Sequence, residues 1–266
     1  MKYKMFIADY DGTLGDFGGI NPETVAAIKR YENNGGIFAV CTGRMFKNVR
    51  DICNNYDIAS VVVSYQGAMI NERKSGKLLF GGKIEKSLAV EVLTSLKGKP
   101  VKPAVLSDDC LYYSQDSFYI DAYKNAKIVP LKKVEDLAYE AEKGTFDSLK
   151  INVICDNCDK EKFIEEYSEK YKGKLIVNSG GERLAEFVNP NCSKGSSVKF
   201  LSAYFNVPQN EIITVGDSTN DIELLNGAWH GVAVGDAKEE LKKYAKEITV
   251  DYKNNPVKFL LEKYCL

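Results

Sequence analysis

Histidine is almost missing from this chain: His230 is the only one in 266 residues. A Ser-His-Asp triad or a Cys-His pair would have to use it. Gly231 and Val232 follow it, which reads as the entry to a strand. Excess charge is missing too. The formal net charge is −1 and the basic residues are dispersed, so nothing electrostatic favours nucleic acid or an anionic membrane. Mixed-sign stretches such as Glu161 to Lys174 read as solvated helix faces. No apolar run reaches the roughly 18–20 residues that cross a bilayer. The opening "MKYKMFIADYDG" meets acidic residues by position 9, so no signal peptide is expected. A disulfide framework is also lacking. The seven cysteines (41, 53, 110, 155, 158, 192 and 265) are odd in number and scattered, which predicts reduced thiols in a cytoplasm. Cys155 and Cys158 form a C-x-x-C with no second pair and no histidine near, so a structural role is expected rather than zinc or redox chemistry. There is no internal repeat and no low-complexity tract.

What is present is an ordinary globular composition, 44% hydrophobic and 27% charged, long enough for one large domain or two smaller ones. The first part alternates. "KMFIADY" is a strand candidate. "NPETVAAIKRYENNG" reads as a helix, with Asn21 as N-cap, Pro22 at the first helical position and Gly35 near the end. "IFAVCTG" is a second buried strand, "RMFKNVRDICNNYD" a helix and "SVVVSYQGA" a third strand. The last part does the same. "CSKGSSVKFLSAYFN", "STNDIELLNGA", "AKEELKKYAKE" and "NPVKFLLEKYC" read as helices, around strands in "EIITVGD", "HGVAVGDA" and "EITV". Such alternation predicts a parallel sheet with crossover helices.

The middle is mixed. "EKSLAVEVLTSLKGK" and "DKEKFIEEYSEKYKG" look helical, "DSLKINVIC" and "KLIVNSGGERLAEFVN" look like strands, and "PAVLSDDCLYYSQ" looks like a hairpin with Asp108-Asp109 at its tip. The expected architecture is therefore α/β: a Rossmann-like parallel-sheet core in two parts, residues 1–82 and 189–266, with an α+β domain inserted over 83–188.

In an open α/β sheet, ligands bind beyond the carboxyl ends of the strands. Asp9, Asp11, Gly12 and Thr13 follow the first strand; Thr42, Gly43 and Arg44 follow the second; Gly216, Asp217, Ser218, Asn220 and Asp221 follow the late strand "EIITV". Lys194 stands before the late helix. Asp9, Asp11 and Asp217 supply hard oxygen ligands of the kind that hold Mg²⁺. Thr42, the amide of Gly43 and Lys194 supply donors for phosphate oxygens. A cation beside an anion-binding half suits phosphoryl transfer. An aspartate can accept the phosphoryl group, and a second one can serve as acid and base.

Taken in order, "DYDGTL", "TGR", the lysine in "SKG" and "GDSTND" resemble the four motifs of the haloacid dehalogenase superfamily of aspartate-dependent phosphatases. The insert, and the stretch "GVAVGDAKEELKKYA", resemble its Cof-type branch with an α/β cap. The resemblance implies a Mg²⁺-dependent phosphomonoesterase acting on a small phosphorylated metabolite, a sugar phosphate or a phosphorylated cofactor. It implies Asp9 as nucleophile and metal ligand, and Asp11 as general acid/base with its carbonyl on the metal. Thr42 and Lys194 would hold the phosphoryl group, and Asp217 would ligate the metal. Asp221 would support the metal waters or Lys194, and Asn220 would contact phosphate or brace the lysine. The cap would close over the site and choose the leaving group. The resemblance implies a monomer or a weak homo-oligomer. Two positions depart from the branch's pattern: Gln66-Gly67-Ala68 replaces Asn-Gly-Ala, and Gly235-Asp236-Ala237 replaces Gly-Asn-Ala.

Plainer alternatives stand beside these roles. The Asp9–Asp11 pair is also turn chemistry. Asp217 and Asp221 suit a helix N-terminus, Thr42 a helix N-cap, and Lys194 a solvated surface. Arg44 would reach substrate, bridge core to cap, or lie on a helix surface. Tyr112, Tyr113 and Tyr119 read as core and rim of the insert. Phosphoryl transfer to a sugar hydroxyl, as in a phosphomutase, shares all four motifs. A phospho-aspartate receiver shares the acids, but receivers are short single domains.

Overall fold

The first apolar run behaves as its composition dictates. The computed structural model describes residues 1–16, 18–107, 110–127 and 129–266. In it Met5–Ala8 forms strand β1, buried along its length. Asn21 caps helix α1 (Pro22–Asn33) by accepting from the Glu23 amide, and Pro22 sits where a missing N–H costs nothing. Then come β2 (Ile37–Cys41), α2 (Phe46–Tyr56), β3 (Val61–Ser64), β4 (Met69–Glu72) and β5 (Leu78–Gly81).

The middle segment supplies α3 (Lys86–Ser95), β6 (Lys102–Ser107), β7 (Cys110–Tyr113), α4 (Phe118–Ala126), β8 (Leu131–Lys133), α5 (Leu137–Lys143), β9 (Lys150–Ile154), α6 (Lys160–Lys170), β10 (Ile176–Gly181) and β11 (Leu184–Val188). Strands β6 and β7 pair antiparallel, as the hairpin reading expects. Asp108 and Asp109, its expected tip, lie outside the described residues. Helices α4 and α5 are additions to the sequence reading. Each starts at a side-chain cap, Ser117 and Asp136, and ends at a left-handed residue, Lys127 and Gly144.

The chain then forms α7 (Lys194–Tyr204), β12 (Ile212–Gly216), α8 (Ile222–Leu225), β13 (His230–Ala233), α9 (Glu239–Lys242), β14 (Glu247–Ile248) and α10 (Pro256–Tyr264). Two of these correct the sequence reading. The helix expected from "STNDIELLNGA" is a 3₁₀ turn, Thr219–Asp221, running into the one turn of α8, and that expected from "AKEELKKYAKE" is the single turn α9. Helix α8 stops because the Leu224 carbonyl is taken by Trp229 Nε1 (2.6 Å) and Thr214 Oγ1 (2.8 Å). Gly227 then lets the chain pass the buried indole; a Cβ there would lie 2.4 Å from the ring.

Among the described residues, the first sheet has the order β14-β13-β12-β1-β2-β3-β4-β5. All neighbours from β14 to β3 run parallel, with Met5 opposite both Ile212 and Ile37. Strand β4 turns back antiparallel on β3. The core is thus a Rossmann-like parallel sheet flanked by helices, and His230 opens β13 as expected. The chain divides into two units, Met1–Phe80 with Cys192–Leu266, and Gly81–Asn191. No helix among the described residues is long and apolar enough to cross a membrane.

The second unit is built on the sheet β10-β11-β9-β6-β7-β8. One face is apolar: Val105, Ile151, Val153, Val177, Ala185 and Phe187 join residues of α3, α5 and α6 in one core. Tyr112 belongs to that core, and Tyr119 donates nothing to it; its hydroxyl instead receives the Asn152 amide at 2.6 Å. The alternate positions mix apolar residues such as Leu106, Ile154 and Val188 with three buried polar ones, Lys150, Asn152 and Glu186. Lys150 and Glu186 pair at 2.7 Å although each is only 4% exposed. Removing one partner of such a pair leaves a buried charge uncompensated. Lys150→Met should therefore destabilise the protein by about 3–5 kcal/mol. Adding Glu186→Leu should restore most of that loss, read as the thermal midpoint of single and double variants. Equal midpoints for wild type and Lys150→Met would show that the pair contributes nothing.

Candidate active site

Four segment ends meet beyond the carboxyl edge of the parallel sheet. Strand β1 delivers Asp9, whose amide continues the ladder onto the Val215 carbonyl at 2.9 Å. The loop that follows folds back on one acceptor: the amides of Thr13, Leu14 and Gly15 all point to the Tyr10 carbonyl. Gly12 has φ +76°, and a Cβ there would lie 2.8 Å from Asp217 Oδ2, so glycine is required twice over. Thr13 Oγ1 donates to Asp217 Oδ1 at 2.8 Å. This tie between the first and third segments has no assigned role in the sequence reading, although Thr13 stands in the quoted strand end.

Strand β12 delivers Asp217, and the turn after it delivers Asp221. Asp221 Oδ2 accepts the amides of Asp217 and Ser218, each at 3.1 Å. Its Oδ1 accepts from Lys194 Nζ at 2.6 Å. Capping and lysine support are therefore one arrangement. Ser193 caps α7 with a reciprocal bond to Ser196, which fixes Lys194 in the first helical turn. Lys194 Nζ also donates to Asp9 Oδ1 at 2.5 Å. At 2% exposed, Lys194 is not a solvated surface lysine.

Asp9, Asp217 and Asp221 bring one carboxylate oxygen each within 4.8 Å of one another. Three carboxylates against the one ammonium of Lys194 leave a formal charge of −2. The ionisation of the groups reflects this. Burial pushes the Asp9 carboxyl well above the ordinary range, the Asp221 charge adds to it, and Lys194 opposes. Asp217 is pushed up to about 6, mainly by burial, with the Thr13 hydrogen bond pulling against it. Burial alone would lower Lys194, but Asp221 and Asp9 hold it above its usual value. Hard oxygen donors with that net charge fit a hard divalent cation.

The second segment lies alongside. Thr42 is buried; its amide donates to the Val63 carbonyl at 2.9 Å, and its Oγ1 accepts the Arg44 amide at 3.2 Å. It does not cap α2, whose N-cap is Met45. Arg44 grips Asp11 with both arms, Nε to Oδ2 at 2.9 Å and Nη2 to Oδ1 at 2.5 Å. Its guanidinium stacks over Tyr10 at 4.6 Å and reaches Asn48 Oδ1 at 3.3 Å. Arg44 is thus neither a helix-surface residue nor free. Asp11 and Asn220 are exposed. Asp236 reaches the turn that follows β14: its Oδ1 accepts the Tyr252 amide at 2.9 Å.

Comparison with known proteins agrees with this geometry. The family described as haloacid dehalogenase-like hydrolase matches residues 6–261. Phosphatase YwpJ of Bacillus subtilis is 27% identical over 271 residues, covering 93% of this chain and 94% of that protein. The 5-amino-6-(5-phospho-D-ribitylamino)uracil phosphatase YwtE of the same organism is 23% identical over 291 residues, covering 98% and 97%. A haloacid dehalogenase-like hydrolase structure from B. subtilis superposes with a TM-score of 0.84 at 25% identity, over 97% of this chain and 99% of that one.

Proposed function

Since the chain belongs to the haloacid dehalogenase-like hydrolase family, and is a phosphoric monoester hydrolase, we propose that it hydrolyses a small phosphorylated metabolite through an aspartyl-phosphate on Asp9, with Mg²⁺. The observation that carries this reading is the buried Asp9–Lys194–Asp221 chain beside Asp217. Lys194 fixes the rotation of the Asp9 carboxylate and holds its charge in a dry setting. Asp9 attacks phosphorus; the bond from Asp9 oxygen to phosphorus forms as the ester bond to the leaving oxygen breaks. Asp11 gives that oxygen its proton. Asp11 then takes a proton from water, which attacks the same phosphorus and releases phosphate and free Asp9.

Arg44 donates one N–H to each Asp11 oxygen, so it orients the carboxyl group while each oxygen keeps a lone pair for the proton. Thr42, the Gly43 amide and Lys194 take the phosphoryl oxygens, with Asn220 at the rim. Asp9, Asp217 and the Asp11 carbonyl would hold the cation, and Asp221 would support them through Lys194. When bound, the cation supplies charge neutralisation for the phosphoryl group. A sugar phosphate or a phosphorylated cofactor is the substrate class. YwtE, by its name, acts on a phosphorylated ribitylamino-uracil. The seven free thiols support a reducing, cytoplasmic setting.

The test is release of inorganic phosphate from a panel of phosphorylated metabolites. Turnover should need Mg²⁺, stop with EDTA and return when Mg²⁺ is restored. An inert protein on every ester, or activity indifferent to EDTA, defeats the proposal. Appearance of a phosphorylated acceptor instead of free phosphate would favour transfer to a sugar hydroxyl.

A further inference from the structure

The turn after β3 carries an unusual backbone. Tyr65, Gln66 and Gly67 all have positive φ, at 52°, 60° and 104°. Only glycine adopts that region freely; a tyrosine and a glutamine there are held against their preference. Such strain persists where the surroundings over-determine it, and it gathers at functional sites. The surroundings here are the phosphate loop and the lysine helix. The Tyr65 amide donates to the Arg44 carbonyl and the Gln66 amide to the Thr42 carbonyl, each at 3.0 Å. A Cβ on Gly67 would lie 2.4 Å from the Ser193 carbonyl oxygen, next to Lys194.

The side chain of Gln66 is laid against the same loop. A Cβ on Gly43 would lie 2.7 Å from Gln66 Nε2, so the carboxamide rests on Gly43 because Gly43 has no side chain. Its Oε1 is buried and has no hydrogen-bond partner. Asparagine tolerates positive φ far better than glutamine. The backbone therefore favours the shorter amide, and this chain carries the longer one. An extra methylene held at a conformational cost points to reach.

We propose that Gln66 is a specificity-determining residue whose carboxamide, placed against Gly43, binds a hydroxyl group of the leaving alcohol. This rests on the phosphatase reading above. Thr42, the Gly43 amide and Lys194 already serve the phosphoryl oxygens, which accept hydrogen bonds and donate none as the dianion. An unpartnered carboxamide oxygen needs a donor. The terminal torsion of glutamine is broad and two-fold, so either end turns toward the ligand. A hydroxyl both donates and accepts, and complements such a group; a polyol or sugar phosphate carries one near the ester, whereas an aryl phosphate does not.

The experiment compares wild type, Gln66→Asn and Gln66→Leu on a set of hexose and pentitol phosphates and on p-nitrophenyl phosphate. Gln66→Asn relieves the backbone and shortens the reach; Gln66→Leu keeps the bulk and loses both hydrogen-bonding ends. In both variants kcat/KM on the best polyol ester should fall about 10-fold, the worth of one hydrogen bond, mainly through KM. Turnover of p-nitrophenyl phosphate should stay within about 2-fold, which also reports an intact site. Equal losses on both kinds of ester, or no loss on either, overturn the assignment. Wild type inert on p-nitrophenyl phosphate as well as on the polyol esters would instead defeat the phosphatase reading, and this inference with it.

Discussion

Asp9→Asn is expected to lower Mg²⁺-dependent phosphate release by at least about 10⁴-fold, equivalent to roughly 5.5 kcal/mol of transition-state stabilisation. The amide oxygen is a poor nucleophile, and it carries no charge for a cation. The formal charge of the cluster drops from −2 to −1 with the same shape retained. The fold should survive, because Asp221 still compensates Lys194 at 2.6 Å. Repulsion between Asp9 and Asp221 is relieved at the same time. The thermal midpoint should therefore stay level or rise. Quenched reactions with radiolabelled substrate should trap a phosphoprotein in wild type and none in the variant. Asp9→Asn active within 10-fold of wild type would remove Asp9 from the nucleophile role.

Lys194→Met should damage both stability and activity. The ammonium is the one positive group bonded to Asp9 and Asp221 among the described contacts, and both carboxylates are buried. Without it the cluster stands at a formal −3. The cost should be about 3–5 kcal/mol of folding stability, that of breaking a buried pair. Phosphate release should fall on the order of 10³-fold, the worth of a preorganised charge at the reacting group.

Two signs separate this from a general packing defect. Mg²⁺ should raise the thermal midpoint of the variant more than that of wild type, because a more negative cluster binds it more tightly. Acid should also help. A carboxyl whose folded pKa is raised, as Asp217 is to about 6, binds more protons folded than unfolded. Its contribution therefore worsens as pH rises from about 3.9 towards 6 and improves on the way down. The gap between wild type and variant should narrow towards pH 4. Equal gaps at pH 4 and pH 7, with no added response to Mg²⁺, would place the defect in packing.

Much of this architecture is legible in the residues. Asn21-Pro22 marks the start of α1 because its cap is local chemistry. The parallel core is legible because β-branched runs alternate with periodic helices. The meeting of Asp9, Thr42 and Asp217 at one edge follows from strand direction alone. Other features depend on partners far along the chain. The bidentate grip of Arg44 on Asp11 joins residues 33 positions apart, and no local pattern announces it. The burial of Lys194 is invisible in a stretch as small and polar as "SKGSS". Helix α8 ends early because Trp229 and Thr214 capture a carbonyl, a tertiary event that overrides a good helical period. The left-handed backbone at Tyr65 and Gln66 contradicts the preference of both residue types, so their identity could not foretell it.

The order of strands in the first sheet also bears on how the chain reaches its fold. Strand β1 lies between β2 and β12, with Met5 opposite Ile212. During synthesis, β1 waits for its second neighbour until the entire Gly81–Asn191 unit has been made. That unit is contiguous and has its own hydrophobic core, so all its partners emerge while the first sheet is still missing three strands. The ribosome thus presents an exposed, strongly apolar β1 edge beside an insert that is already able to collapse. Closing the long loop between β1 and β12 is the slow, non-local step, and the interval before it is when the chain is most open to strand exchange with a neighbour.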